Sequence, residues 1–235
     1  MYQPYAVNVP PPVRPKILCL HGGGSSGMIF QIQLVRLSRV LEPRFEFVFL
    51  EGPIECDAGP GVLPVFEGCG PYRRWVSDDP STPADEFARQ KETAMELLKV
   101  YVQQTGPYVG VLGFSQGARA AASLLLEHQR RPFVPYDMFG VFLCGTYPLF
   151  VEQETGGGGQ GDGDDKIRAP TFHLVGLFDP WKPASEALIE SCAEGSTRKV
   201  LRYPGGHHLP NAPEAIQNIA TMVMDLCKET TGARV

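Results

Sequence analysis

Ser115 lies in Gly113-Phe114-Ser115-Gln116-Gly117, a G-x-S-x-G pentapeptide set between an apolar run, Tyr108 to Leu112, and a helix-forming stretch, Gln116 to His128. A tight strand-to-helix turn exposes the hydroxyl, and glycine on either side removes side chains that would clash. The helix starting there aims free N–H groups, and the positive end of its dipole, at negative charge developing beside the serine. A serine hydroxyl is a weak nucleophile at neutral pH and needs a base to take its proton. Of the histidines, His128 ends a polar helix and reads as solvated, while His173 lies inside an apolar strand and reads as packed. His207 and His208 follow the last apolar run in Tyr203-Pro204-Gly205-Gly206-His207-His208-Leu209-Pro210. The paired glycines allow the sharp turn that swings one imidazole over the sheet, which favours His207.

A carboxylate must orient that imidazole, and in chain order it should leave a late strand between the serine and the histidine. Asp179 does so, in Gly176-Leu177-Phe178-Asp179-Pro180 after the run Phe172 to Val175. Asp162, Asp164 and Asp165 compete for the role, but the surrounding Gly156 to Asp165 tract (GGGGQGDGDD) reads as a flexible surface loop, unsuited to holding a tautomer. His21-Gly22-Gly23-Gly24 ends the first apolar run, where an oxyanion-binding loop belongs; the candidate donors are the N–H of Gly23 or Gly24 and that of Gln116. His21 is expected to brace that loop. A phosphate-binding reading fails, since neither G-x-x-x-x-G-K-[ST] nor G-x-G-x-x-G before a helix is present. This chemistry calls for no cofactor and no metal.

The elements that must position these groups alternate regularly. Lys16 to Leu20, Phe45 to Leu50, Tyr108 to Leu112, Met138 to Leu143, Phe172 to Val175 and Lys199 to Tyr203 read as strands. Between and after them lie helices carrying Phe30, Leu34, Leu37 and Leu41, then Glu86 to Gln104, Gln116 to His128, Ala184 to Glu194 and Pro213 to Lys228. About six apolar strands separated by helices predict a mainly parallel sheet with helices on both faces, its reactive groups at the strands' carboxyl ends. Residues 1–235 read as one domain, with 1–15 an extended proline-rich lead-in and 51–83 a long glycine- and proline-rich loop facing the substrate. That loop offers Phe66, Tyr72 and Trp75 as walls for an apolar chain, unless it packs on itself as an Ω-loop. The strand end after Leu143, beside Tyr147 to Phe150, is the alternative place for such a wall.

The bulk numbers narrow the classes. A formal net charge of −5 argues against a nucleic-acid partner. No apolar run is long enough to span a bilayer, and Met1 to Pro15 lacks a signal peptide's apolar region. The six cysteines have no metal-like spacing and read as reduced thiols, which with the missing leader predicts a cytoplasmic protein.

Together with Ile17 to Gly22 (ILCLHG), Phe45 to Pro60 (FEFVFLEGPIECDAGP), Gly70 to Trp75 (GPYRRW), Gly106 to Gly117 (GPYVGVLGFSQG) and Gly205 to Pro210 (GGHHLP), these residues resemble the fungal serine-hydrolase family often called FSH. The resemblance implies an α/β-hydrolase fold, the order Ser115, Asp179, His207 for the triad, and the histidine of G-G-H-x-x-P as base, which is His207. It also implies an acyl thioester substrate, a polyketide released from the acyl-carrier domain of a polyketide synthase. A carboxylesterase acting on a small ester or lactone of a secondary-metabolite pathway is the alternative that the same triad serves.

Overall fold

The computed structural model describes residues 13–151 and 165–232; Met1 to Pro12 of the lead-in and nearly all of the 156–165 tract lie outside them. The chain order is β1 (Lys16–Leu20), α1 (Gly27–Leu41), β2 (Glu46–Leu50), β3 (Ile54–Cys56), β4 (Tyr72–Arg74), α2 (Ala84–Thr105), β5 (Tyr108–Phe114), α3 (Gln116–Arg130), β6 (Phe139–Leu143), β7 (Thr171–Gly176), α4 (Lys182–Glu190), β8 (Arg198–Tyr203) and α5 (Pro213–Thr231). Six strands form one parallel sheet in the order β2-β1-β5-β6-β7-β8.

Alternation along each strand sends side chains to two separate cores, as the pleat requires. Leu18 and Leu20 join one core with Leu98 and Val102 of α2 and Ala121 and Leu124 of α3. Ile17 and Cys19 join the other, with Phe30 and Leu34 of α1 and Ile219 and Val223 of α5. The sheet is thus covered on both faces, and α4 closes its far end through Leu188. The sheet's winding reverses between β1 and β5, and at such a switch point the carboxyl ends of neighbouring strands open a crevice. Leu20 and Gly113 are register partners there, which brings the His21 loop beside the Ser115 turn.

Strand and helix ends shift by up to four residues from the sequence expectation, most of all at α4, and one segment differs in kind. α4 begins at Lys182, with Pro183 in its first turn, and ends at Glu190. The 51–83 segment is not wholly irregular: β3 and β4 pair antiparallel, Ile54 with Arg74 and Cys56 with Tyr72. A bridge between Ser25 and Arg73 pins that hairpin to the start of α1. All six cysteines are unpaired, Cys56 and Cys69 included. Among the described residues no helix is long and apolar enough to cross a membrane.

His173 is a core residue of β7. Its Nε2 lies 3.1 Å from Thr171 Oγ1 and its ring meets Phe142 edge-on. Burial, reinforced by the Arg198 cation, pushes its pKa from 6.5 down to about 3. The unfolded chain therefore takes up a proton first. This contribution to stability is complete above about pH 6.5 and is lost as pH falls towards 3. Thermal midpoints are expected to decline across that window, and to decline less steeply in His173→Leu.

Candidate active site

Ser115 occupies the turn between β5 and α3 with φ 54° and ψ −118°, a left-handed backbone that a non-glycine residue adopts only when its surroundings enforce it. Both flanking glycines are required by close approach. A Cβ on Gly113 would lie 2.2 Å from Gly117 O, and one on Gly117 would lie 2.1 Å from Leu20 O. The Ser115 N–H donates to Leu143 O at 2.9 Å, tying the turn to the neighbouring strand.

Asp179 follows β7 in a turn that it helps to build. The Trp181 N–H donates to Asp179 Oδ1 at 2.8 Å, leaving Oδ2 for another partner. That partner is His207, whose Nδ1–H donates to Oδ2 at 2.7 Å. On the far side of the ring, His207 Nε2 accepts from the Ser115 hydroxyl at 2.8 Å. The structure thus joins the three residues expected from the sequence in one hydrogen-bonded chain. The ring is held by Trp181 and Phe114, with centroids 4.5 and 5.0 Å away. Of the two glycines before it, Gly205 is required by packing, since a Cβ there would lie 2.1 Å from the Tyr203 ring, while one on Gly206 would meet nothing closer than 3.8 Å. A Cβ on Gly176 would lie 2.5 Å from Gly206 O, so the β7 and β8 exit loops touch backbone to backbone. Tyr203 Oη donates to Gly206 O at 2.8 Å and also meets His208 O. His208 is exposed, its Nδ1 2.9 Å from Leu209 O, and it faces away from Ser115 and Asp179.

The His21 loop is braced as expected. His21 is fully buried, with Nδ1 donating to Gly22 O at 2.8 Å and Nε2 accepting from Gly52 N–H at 2.9 Å. That pattern needs a neutral ring, and burial lowers its pKa accordingly. Gly22 and Gly23 line a cavity at Ser115, but Gly24 does not. Gly24, at φ 68°, passes over Gly59 so closely that a Cβ would lie 2.1 Å from Gly59 N. Its need for glycine is that crossing, so Gly23 is the better-placed donor of the two. Gln116 opens α3, where the first N–H groups have no carbonyl a turn earlier. Its side chain clasps the segment beyond β4: Oε1 accepts from Trp75 N–H at 2.7 Å, while Nε2 donates to Val76 O at 3.0 Å and to Asp78 Oδ2 at 2.7 Å.

The cavity at Ser115 measures about 400 Å³ and is walled by Val62, Phe114, Tyr147 and Trp181, with Asp78, Gln116 and Arg119 at a polar end. The three aromatic residues expected to line it do not. Trp75 is fully buried and donates its indole N–H to His21 O at 2.8 Å, so it supports the loop from behind. Tyr72 Oη donates to Phe66 O at 2.6 Å, closing the 51–83 segment on itself. The wall comes instead from Val62 of that segment, from Tyr147 beyond β6, and from Trp181. A larger open groove, about 920 Å³, runs along α2 past Glu92, Leu97 and Phe150, without a serine–histidine pair. Among the described residues, Cys144, Asp179 and His207 hold potential ligand atoms within 4.8 Å of one another. Asp179 Oδ2 and His207 Nδ1 are already engaged with each other at 2.7 Å, and burial beside Asp179 pushes the Cys144 thiol up to about 12.

Comparison with known proteins agrees with this geometry. A family model described as "Serine hydrolase (FSH1)" matches residues 12–219. "Esterase FUS5" of Gibberella moniliformis is 47% identical over 210 residues, spanning 89% of this chain and 86% of its own length. "Thioesterase FSL2" of Gibberella zeae is 32% identical, over 89% of this chain and 91% of its own. Among solved structures, Zea mays acyl-protein thioesterase 2 superposes with a TM-score of 0.63 at 18% identity, covering 96% of this chain and 97% of that one. A carboxylesterase from Mesorhizobium loti gives 0.58 at 19%, covering 91% and 90%. At such identities these two show the fold, which is that of the α/β-hydrolases.

Proposed function

The chain belongs to the serine hydrolase (FSH1) family, and from that premise we propose that it cleaves an acyl thioester through an acyl-enzyme on Ser115. The carrying observation is the hydrogen-bonded chain Ser115–His207–Asp179, at 2.8 and 2.7 Å. His207 takes the hydroxyl proton as Oγ attacks the acyl carbon, and Asp179 holds the tautomer and balances the imidazolium that forms. The oxyanion is placed against the Gln116 and Gly23 N–H groups. Collapse of the tetrahedral intermediate expels the thiol, protonated from His207. A water activated by the same imidazole then releases the acid.

The acyl group is a polyketide carried on the acyl-carrier domain of a synthase. The thioester is supported by a relative that bears the name thioesterase, and the polyketide on its carrier domain is what the family resemblance implies. A second reading, a carboxylesterase for a pathway ester or lactone, is favoured by the relative at 47% identity that bears the name esterase. The unpaired thiols support a reducing, cytoplasmic setting. Matched thioesters and oxyesters over several acyl lengths separate the readings. The thioester reading expects kcat/KM to favour thioesters by at least about tenfold after correction for spontaneous hydrolysis, rising with length until the cavity is filled. Equal or reversed preference would assign the enzyme to oxyesters.

A further inference from the structure

Buried polar atoms without a hydrogen-bond partner are rare in folded proteins and call for an explanation. Among the described residues four side chains carry them: Ser25, Gln33, Arg74 and Arg119. Three of the four, Ser25, Gln33 and Arg119, line the cavity at Ser115. Arg119 is the extreme case, 7% exposed, with both Nε and Nη2 unpartnered. These two nitrogens lie along one edge of the guanidinium and donate in parallel. Asp78 does not use them. Its Oδ2 is taken by Gln116, and its Oδ1 stands 3.7 Å from Nη2, beyond hydrogen-bond reach. The guanidinium carbon lies over the Phe150 ring, 4.9 Å from its centroid.

Resting on the hydrolase reading of this same site, we propose that Arg119 anchors a neutral carbonyl oxygen borne by the acyl chain, and so selects oxo-acyl over plain alkyl groups. Asp78 Oδ1 already stands 3.7 Å from Nη2, so a carboxylate is near the cation, and what this edge lacks is an acceptor within hydrogen-bond reach. Burial lowers the Arg119 pKa, against a smaller opposing effect of the Asp78 charge. Arg119 follows Ser115 by one turn of α3. Both residues line the same cavity, so the anchored oxygen lies a few carbons along the acyl chain from the reacting carbonyl.

Calorimetry on the full-length Ser115→Ala chain tests this without requiring turnover. The ligands are three six-carbon acyl amides: unsubstituted, bearing a ketone on the fifth carbon, or ending in a carboxylate. The ketone is expected to bind about tenfold or more tighter than the alkyl amide, the ratio that one hydrogen bond to a charged donor gives. The carboxylate should gain no such advantage. Adding Arg119→Met should bring ketone and alkyl amides within about twofold of each other. Equal binding of ketone and alkyl amides before that change overturns the proposal, even if Arg119→Met fails to fold. Tightest binding by the carboxylate overturns it too, in favour of an anion site. Failure of the hydrolase reading shows separately, as absence of ester and thioester turnover by the unmodified chain.

Discussion

Ser115→Ala is expected to lower kcat by several orders of magnitude, on the order of 10⁴ to 10⁶, with the thermal midpoint unchanged or slightly raised. The hydroxyl donates only to His207, so its removal empties no packed space. The backbone at φ 54° is strained with either residue, held by Leu143 O and by the two close glycine approaches. Alanine leaves that scaffold in place and withdraws the atom that attacks. What activity remains comes from the oxyanion donors alone. A fluorophosphonate reagent should label Ser115 in the unmodified chain and nothing in the variant. Retention of more than a few per cent of turnover, or labelling of another serine, would displace Ser115 from its role.

His207→Ala should cost about as much, and the Ser115→Ala/His207→Ala pair no more than either change alone, because nucleophile and base act as one unit. His208→Ala supplies the contrast. Its ring is exposed and bonds only within its own turn, so a change of less than about threefold is expected. Asp179→Asn should fall between these, since an amide on Oδ2 of the pair presents the wrong tautomer to Ser115 without removing the imidazole. Kinetics of the four variants, with circular dichroism to show that each folds, decide the assignment. An inactive His208→Ala beside an active His207→Ala would reverse it.

The sheet and the triad were legible in the sequence because their signals are local. Most of the sheet strands hold a short apolar run, and G-x-S-x-G, Gly176 to Pro180 and Gly205 to Pro210 carry their turn chemistry within a few residues. The cavity wall was not, because it depends on pairings distant along the chain. β3 and β4 have three residues each and meet across the segment between Cys56 and Tyr72, too little pattern to predict. That hairpin turns Trp75 inward onto His21, and composition alone cannot tell a ligand-facing indole from a buried one. Gly23 and Gly24 look alike until Gly59 crosses behind the second. Arg119 and Trp181 did leave a trace. One lies four residues after the serine on the same helix face, and the other lies two after the aspartate, where its N–H can cap the carboxylate.

Gln116 opens α3 directly after Ser115 while its amide side chain grips Trp75, Val76 and Asp78. The segment beyond β4 and the first turn of α3 therefore open and close as one cooperative unit. Loosening either breaks the same four hydrogen bonds. Exchange of the Trp75 amide with solvent is therefore expected to report on the integrity of the first turn of α3.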